Sequence, residues 1–125
     1  MLVVVLRILF FAVLGITIAG GVSSSGGPRL FNYFDLVLHF GAFGALGGLL
    51  VLSFARQRWM PGAIGLVVLG GVIELVQGTF LPGRHASALD FVADTSGVLL
   101  GVVIAQHWFR EQLKRWLGHL YSPGD

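Results

Sequence analysis

The segment LVVVLRILFFAVLGITIAG, residues 2–20, decides the fold class of this chain. It carries one charged side chain, Arg7, and its length is close to the ~20 mainly apolar residues that a helix needs to cross a bilayer. We therefore predict a first transmembrane helix here. A signal peptide is the alternative, since a basic residue precedes the apolar run and small residues follow it. No clear A-x-A cleavage motif follows the run, which favours a retained helix.

Composition extends this interpretation to the whole chain. Hydrophobic residues make up 55% of the 125 residues, charged residues make up 11%, and the mean hydropathy is +0.85. Soluble domains carry about 25% charged residues, so this chain is too apolar for an ordinary soluble domain. Its length allows four spans of about 20 residues with short connections. Because cysteine is absent, a disulfide framework and thiolate metal sites are excluded.

Three further apolar runs follow the first and supply the remaining spans. They cover approximately residues 35–54, 61–80 and 88–108. Pro61 suits the first position of a helix, because its missing N–H needs no partner there. The sequence thus predicts an all-α integral membrane bundle of four transmembrane helices.

The C-terminal stretch FREQLKRWLGHLYSPGD mixes aromatic and leucine residues with basic ones. Such a mixture is typical of a short helix that lies in the membrane interface. We therefore divide the chain into a four-helix membrane domain, residues 1–110, and a cytoplasmic amphipathic tail, residues 111–125.

The distribution of basic residues predicts the orientation of the bundle. With four spans, six of the eight basic residues fall on one side, and Arg29 and Arg84 fall on the other. The six are Arg7, Arg56, Arg58, Arg110, Lys114 and Arg115. Because cytoplasmic loops are enriched in Lys and Arg, we expect both termini in the cytoplasm. Topology also explains the net charge of +2, so nucleic acid is not an expected partner.

Polar residues gather toward the opposite, extracytoplasmic end of the predicted spans. They form three pairs, each three or four residues apart and so on one helix face: Asp35 with His39, Glu74 with Gln77, and Asp90 with Asp94. Glu74 lies roughly 12 Å along its helix from Pro82, where a charge costs about 2.5 to 3.5 kcal/mol. It therefore requires a partner or a proton.

Arg84, between the third and fourth spans, is the basic residue best placed to pair with these acids. It cannot neutralise all of Asp35, Glu74, Asp90 and Asp94. Three interpretations stay open: some carboxyls are protonated, a divalent cation binds, or a polar ligand completes the network. The candidate metal ligands are Asp35, His39, Glu74 and Asp94. No motif for another cofactor is evident.

Two pairs of glycines have the small-xxx-small spacing that lets membrane helices approach closely. They are Gly44 with Gly48 in the second span and Gly97 with Gly101 in the fourth. The spacing predicts close packing of these two spans, which would help to bring the polar pairs together.

The segments DLVLHFGAFGALG, IELVQGTFLPGR and SALDFVADTSGVLLG, in this order and spacing, resemble the VanZ-like family of small bacterial membrane proteins. The resemblance covers about residues 30–107. The family usually has a lysine where this chain has Leu36, and commonly an asparagine where it has Asp94. The resemblance implies a multi-pass protein of the bacterial inner membrane, in a family named for a glycopeptide-antibiotic resistance cluster.

These observations favour a binding protein over an enzyme. We expect the three polar pairs and Arg84 to bind a cell-envelope ligand: a lipid headgroup, a lipid-linked precursor or an amphiphilic glycopeptide antibiotic, with membrane lipids as surroundings. One alternative is a metal-dependent membrane enzyme that acts on lipid phosphates, with carboxylates and a histidine holding the ion. The other is a structural or assembly subunit in which these polar residues only hold the helix ends together.

Overall fold

The computed structural model describes residues 1–23, 33–81 and 87–120. Within these ranges the chain is helical and contains no strand, so the all-α prediction is confirmed. The helices are α1 (Leu2–Gly21), α2 (Phe34–Ser53), α3 (Arg56–Phe80), α4 (Ala88–Ile104) and α5 (Arg110–Leu117), with a π-helical turn at Ala105–Phe109.

Four helical segments of the described chain are long and apolar enough to cross a membrane: Leu2–Gly21, Phe34–Ser53, Arg56–Phe80 and Ala88–Leu117. Between 11% and 33% of the residues in their apolar stretches are buried inside the bundle. Most of their apolar surface therefore faces outward. Such exposure suits contact with lipid, whereas large exposed apolar surfaces are rare on proteins surrounded by water. This arrangement indicates a multi-pass membrane protein.

Two contacts between helix ends define the up-down-up order of the first three helices. Arg7 Nε, near the start of α1, donates a hydrogen bond of 3.0 Å to the Ser53 carbonyl at the end of α2. Gln77 Nε2, near the end of α3, donates one of 2.9 Å to the Gly21 carbonyl at the end of α1. Helix α2 is therefore antiparallel to α1, and α3 is parallel to it. The end of α3 and the start of α2 consequently share one end of the bundle.

Glycines form the contact between α2 and α4. A Cβ at Gly44 would lie 3.5 Å from the Gly97 carbonyl oxygen, and one at Gly97 would lie 2.5 Å from the Phe40 carbonyl oxygen. Gly48 and Gly101 lie one turn further along the same contact. Gly47, which the sequence did not single out, has the Val98 carbonyl oxygen 2.7 Å from where its Cβ would be. At Gly47, Gly97 and Gly101 the backbones approach too closely for a side chain, whereas a Cβ at Gly44 or Gly48 would make ordinary van der Waals contacts.

Helix α3 begins at Arg56 and not near Pro61 as the sequence predicted. The Ala55 carbonyl accepts hydrogen bonds from the N–H groups of Arg58 and Trp59, and the Trp59 side chain is buried. This packing fixes an extra turn, which outweighs the single hydrogen bond that Pro61 cannot make. Arg56 and Arg58, which lie between the second and third predicted spans, therefore occupy the first turn of α3.

The fourth span and the tail form a nearly continuous helix. No glycine or proline lies between Val102 and Leu117 to interrupt it, and the helix passes from α4 to α5 through the π-helical turn. The predicted boundary between the membrane domain (residues 1–110) and the tail (residues 111–125) thus falls within α5. Helix α5 keeps the predicted mixture of exposed basic residues and an exposed Trp116.

Candidate functional site

His39 on α2 lies at the centre of a group of carboxyl side chains. Its Nδ1 is 2.7 Å from Asp94 Oδ1, a hydrogen bond between α2 and α4, and 4.0 Å from Glu74 Oε1 on α3. Its Nε2 is 3.9 Å from Asp90 Oδ2. We call His39, Glu74, Asp90 and Asp94 the polar cluster. One imidazole is therefore surrounded by acids from two other helices.

Helix length and direction explain why these residues meet. His39 lies five residues after the start of α2, Glu74 six before the end of α3, and Asp94 six after the start of α4. At about 1.5 Å per residue, each lies roughly 8 to 9 Å inside a helix end. Because the helices alternate in direction, these three ends lie on the same side of the bundle.

Two acids of the polar cluster are buried inside the bundle. Asp94 is fully buried and Glu74 is 6% exposed. Gly70 makes space for Asp94, since a Cβ at this position would lie 2.9 Å from Asp94 Oδ2. Sequence reasoning missed Gly70, although it lies one helical turn before Glu74 on the same face, the position from which a side chain would block the cluster.

Ser87 joins the start of α4 to the cluster. Its backbone N–H donates a 2.8 Å hydrogen bond to Glu74 Oε2, and its Oγ accepts a 3.2 Å hydrogen bond from the Asp90 N–H. The second contact is an N-cap, which satisfies one of the free N–H groups of the first turn. The signal in the sequence was a serine followed three residues later by an acid, a spacing typical of helix starts.

Two buried carboxylate oxygens of the cluster have no hydrogen-bond partner in the described part of the chain. They are Glu74 Oε1 and Asp94 Oδ2. Among the described residues, the basic side chain near both carboxylates is His39. An unpaired polar atom in an apolar interior costs about 1 to 3 kcal/mol, and a charged one more. The cluster is therefore suited to a further proton, cation or hydrogen-bond donor.

A cavity of about 260 Å³, which we call the polar cavity, opens beside the cluster between α1, α2 and α3. Its polar wall consists of Thr17, Asp35, His39 and Gln77, and the remaining lining residues are apolar or glycine. Gln77 is buried, and its side chain is directed toward α1, where Nε2 donates a hydrogen bond to the Gly21 carbonyl. The cavity thus combines an acidic polar wall with a hydrocarbon lining.

A shallower groove of about 520 Å³, the α3–α4 groove, lies on another side of the cluster. Glu74 and Ser87 line it together with apolar residues that include Leu75 and Phe91. His39 therefore borders one opening and Glu74 the other. Asp94 lies buried between them.

The predicted site residues fall into three groups. The polar cluster brings together four of them, and Asp35 and Gln77 lie on the wall of the polar cavity. Arg84, predicted to pair with the acids, lies outside the described residues. Of the four candidate metal ligands, His39, Glu74 and Asp94 each offer a donor atom within 4.8 Å of the others. We call these three residues the donor trio.

The arrangement can bind an ammonium group, share protons among its acids, or hold a metal ion through one nitrogen and two oxygens. Comparison with known proteins gives no assignment: no family model, no curated protein and no solved structure matches this chain.

Proposed function

We propose that this chain is a VanZ-like protein of the bacterial inner membrane that binds the polar group of a cell-envelope amphiphile. The polar cavity beside the polar cluster is the observation that carries the proposal. The amphiphile is a lipid headgroup, a lipid-linked precursor or an amphiphilic glycopeptide antibiotic, and in the last case binding contributes to resistance.

The lining of the polar cavity suits an amphiphile. Ile16, Leu38 and Phe43 offer an apolar surface to hydrocarbon, while Asp35 and His39 offer charge and hydrogen bonds. Pockets for whole drug-sized ligands measure about 300 to 1,000 Å³. At about 260 Å³, this cavity holds a headgroup and leaves the rest of the molecule in the bilayer.

The charge of the site favours a polar group that carries an amine. Asp35 lines the cavity and can accept hydrogen bonds from an ammonium group, which has three to donate. Behind His39 on the same wall, the acids of the polar cluster add negative charge. Phosphate would meet repulsion from the same acids unless a cation lay between them. We therefore expect aminated headgroups and aminated antibiotics to bind more tightly than anionic lipids.

We infer the orientation of the bundle in the membrane from the positions of its basic residues. Arg7 contacts Ser53 and lies 5.0 Å over the Phe54 ring, at the end of the bundle away from the polar cluster. With six of the eight basic residues at that end, the positive-inside rule puts it in the cytoplasm. The polar cluster then faces the extracytoplasmic leaflet, where envelope ligands are found.

A steric block of the cavity tests the proposal. Ala42 lines the polar cavity, whereas Ala45 on the same helix lines a different groove, against α4. With the chain in nanodiscs, Ala42→Phe should weaken binding of phosphatidylethanolamine or of a lipoglycopeptide by about tenfold or more, which is at least about 1.4 kcal/mol. Ala45→Phe is the matched control. Equal affinities of both variants and the wild type would overturn the proposal.

A metal-dependent enzyme acting on lipid phosphates is the second candidate, favoured by the proximity of the donor trio. Purified protein supplied with Mg²⁺, Mn²⁺ or Zn²⁺ should then release phosphate from lipid phosphates, and Glu74→Gln should abolish the release. A structural subunit would instead keep its function when the trio is replaced by apolar residues in a stable variant.

A further inference from the structure

We propose that the donor trio, His39, Glu74 and Asp94, is a binding site for one divalent transition-metal ion, Zn²⁺ or Mn²⁺. The site is formed by three helices of the bundle. The inference goes beyond amphiphile binding, because it concerns the ion alone and holds whichever ligand enters the polar cavity.

The spacing of the donor atoms fits one ion. Two donors about 2.1 Å from a tetrahedrally coordinated ion lie about 3.4 Å from each other. The distance from His39 Nδ1 to Asp94 Oδ1 is 2.7 Å, and that from Nδ1 to Glu74 Oε1 is 4.0 Å. These values lie on either side of the required separation. Small rotations of the side chains therefore bring the three donors around a common centre.

Unpaired atoms supply the independent argument for a ligand. Glu74 and Asp94 are more than nine-tenths buried, and each keeps one oxygen, Oε1 and Oδ2, without a hydrogen bond among the described residues. Buried carboxylate oxygens are normally paired because their desolvation is costly. An ion at the trio would pair Glu74 Oε1, and either oxygen of Asp94 can reach it after rotation of the carboxylate, Oδ1 from beside His39 or the unpaired Oδ2.

The contacts around the trio orient the donors as metal sites require. The Ser87 N–H holds Glu74 Oε2 at 2.8 Å, which leaves Oε1 for the ion. When Nδ1 of His39 binds the ion, the ring carries its proton on Nε2, which faces Asp90 Oδ2 at 3.9 Å. A carboxylate behind a metal-bound histidine fixes the ring and makes it a better ligand. Asp90 is the nearest carboxylate for this role and fills it once its side chain moves from 3.9 Å to hydrogen-bond distance of Nε2.

Charge and donor type select the class of ion. Two ionised carboxylates and a neutral imidazole carry a charge of about −2, which a divalent cation balances. Imidazole suits transition metals, whereas Mg²⁺ and Ca²⁺ prefer sites made of oxygen alone. The combination of one nitrogen and two oxygens therefore favours Zn²⁺ or Mn²⁺. The polar cavity at His39 and the α3–α4 groove at Glu74 offer routes of entry.

Equilibrium dialysis of the full chain in nanodiscs tests the site. After chelator treatment, the wild type should take up one Zn²⁺ or Mn²⁺ per chain, in preference to Mg²⁺. Glu74→Gln and Asp94→Asn should each weaken binding about tenfold or more, as loss of a ligand or its support typically does. Asp90→Asn keeps an acceptor for Nε2–H and should weaken binding less. Glu111→Gln, at the exposed Glu111–Lys114 pair, is the matched control and should bind as the wild type does.

Electron paramagnetic resonance of the Mn²⁺-loaded wild type gives an answer that does not depend on the folding of any variant. Pulsed spectra should show coupling to one imidazole nitrogen, which His39→Asn removes and His107→Asn leaves in place. A wild type that binds no more ion than empty nanodiscs, or binds it without nitrogen coupling, would overturn the proposal. Ala42→Phe should still bind the ion, so a failure of amphiphile binding remains distinguishable from a failure of this site.

Discussion

His39 Nδ1 lies 2.7 Å from Asp94 Oδ1, so a polar contact joins α2 and α4 at the interface where their glycines bring the backbones together. The short distance depends on that close approach, since Gly97 and Gly44 lie one helical turn or so from the two residues. The His39–Asp94 contact therefore depends on the glycine packing between α2 and α4.

We predict that this contact stabilises the bundle only when both partners are present. Asp94→Asn retains an acceptor and should change the unfolding free energy little, whereas Asp94→Leu leaves His39 unpaired and should cost about 1 to 3 kcal/mol. The double variant His39→Leu with Asp94→Leu should recover part of this loss. Unfolding in mixed detergent micelles measures the coupling, and additive effects of the two leucine substitutions would contradict it.

A second prediction concerns the space that Gly70 provides. The added Cβ of Gly70→Ala would lie 2.9 Å from Asp94 Oδ2 and 3.1 Å from Asp94 Cβ. Overpacking of this kind typically costs about 1 to 3 kcal/mol. The variant should therefore unfold more readily than the wild type.

Gly65→Ala is the control for that prediction, because a Cβ at Gly65 would meet nothing within 4 Å. Alanine favours a helix over glycine by about 1 kcal/mol, so Gly65→Ala should be neutral or stabilising. If thermal unfolding of the two variants gave the same midpoint, the steric role of Gly70 would be excluded.

A third prediction concerns the contact between α2 and α4. Gly97→Ala would place a Cβ 2.5 Å from the Phe40 carbonyl oxygen, a backbone atom that cannot move aside. The two helices must then separate, with the loss of the polar contact one turn away. We expect a large fall in the yield of folded protein, while Gly15→Ala, which has open space, should express normally. Normal yield and stability of both variants would contradict the packing seen here.

Periodicity and charge in the sequence were sufficient to predict four apolar helices and the gathering of acids at one end. They could not specify which acids meet. The i and i+4 spacing puts Asp35 and His39 on one face, but the rotation of α2 against α4 decides that His39 contacts Asp94 while Asp35 lines the polar cavity. That rotation depends on close contacts such as Gly47 against Val98, which single-helix patterns do not reveal.

The start of α3 shows a second limit of sequence reasoning. Pro61 is a good first helical residue by local propensity, yet burial of Trp59 extends the helix back to Arg56. Tertiary packing therefore outweighs the local signal. Ser87 was missed for a related reason, because its contact with Glu74 joins residues on different helices.

The last prediction is the orientation of the bundle in the membrane, and the absence of cysteine from the chain makes it simple to test. Gln57 is exposed in the first turn of α3, beside Arg56 and Arg58, at the end expected in the cytoplasm. Gln57→Cys should resist a membrane-impermeant thiol reagent in intact cells and react after lysis. Gly83→Cys, between α3 and α4, should react in intact cells. The reverse pattern would put the polar cluster in the cytoplasmic leaflet, and an extracytoplasmic amphiphile could then not be its ligand.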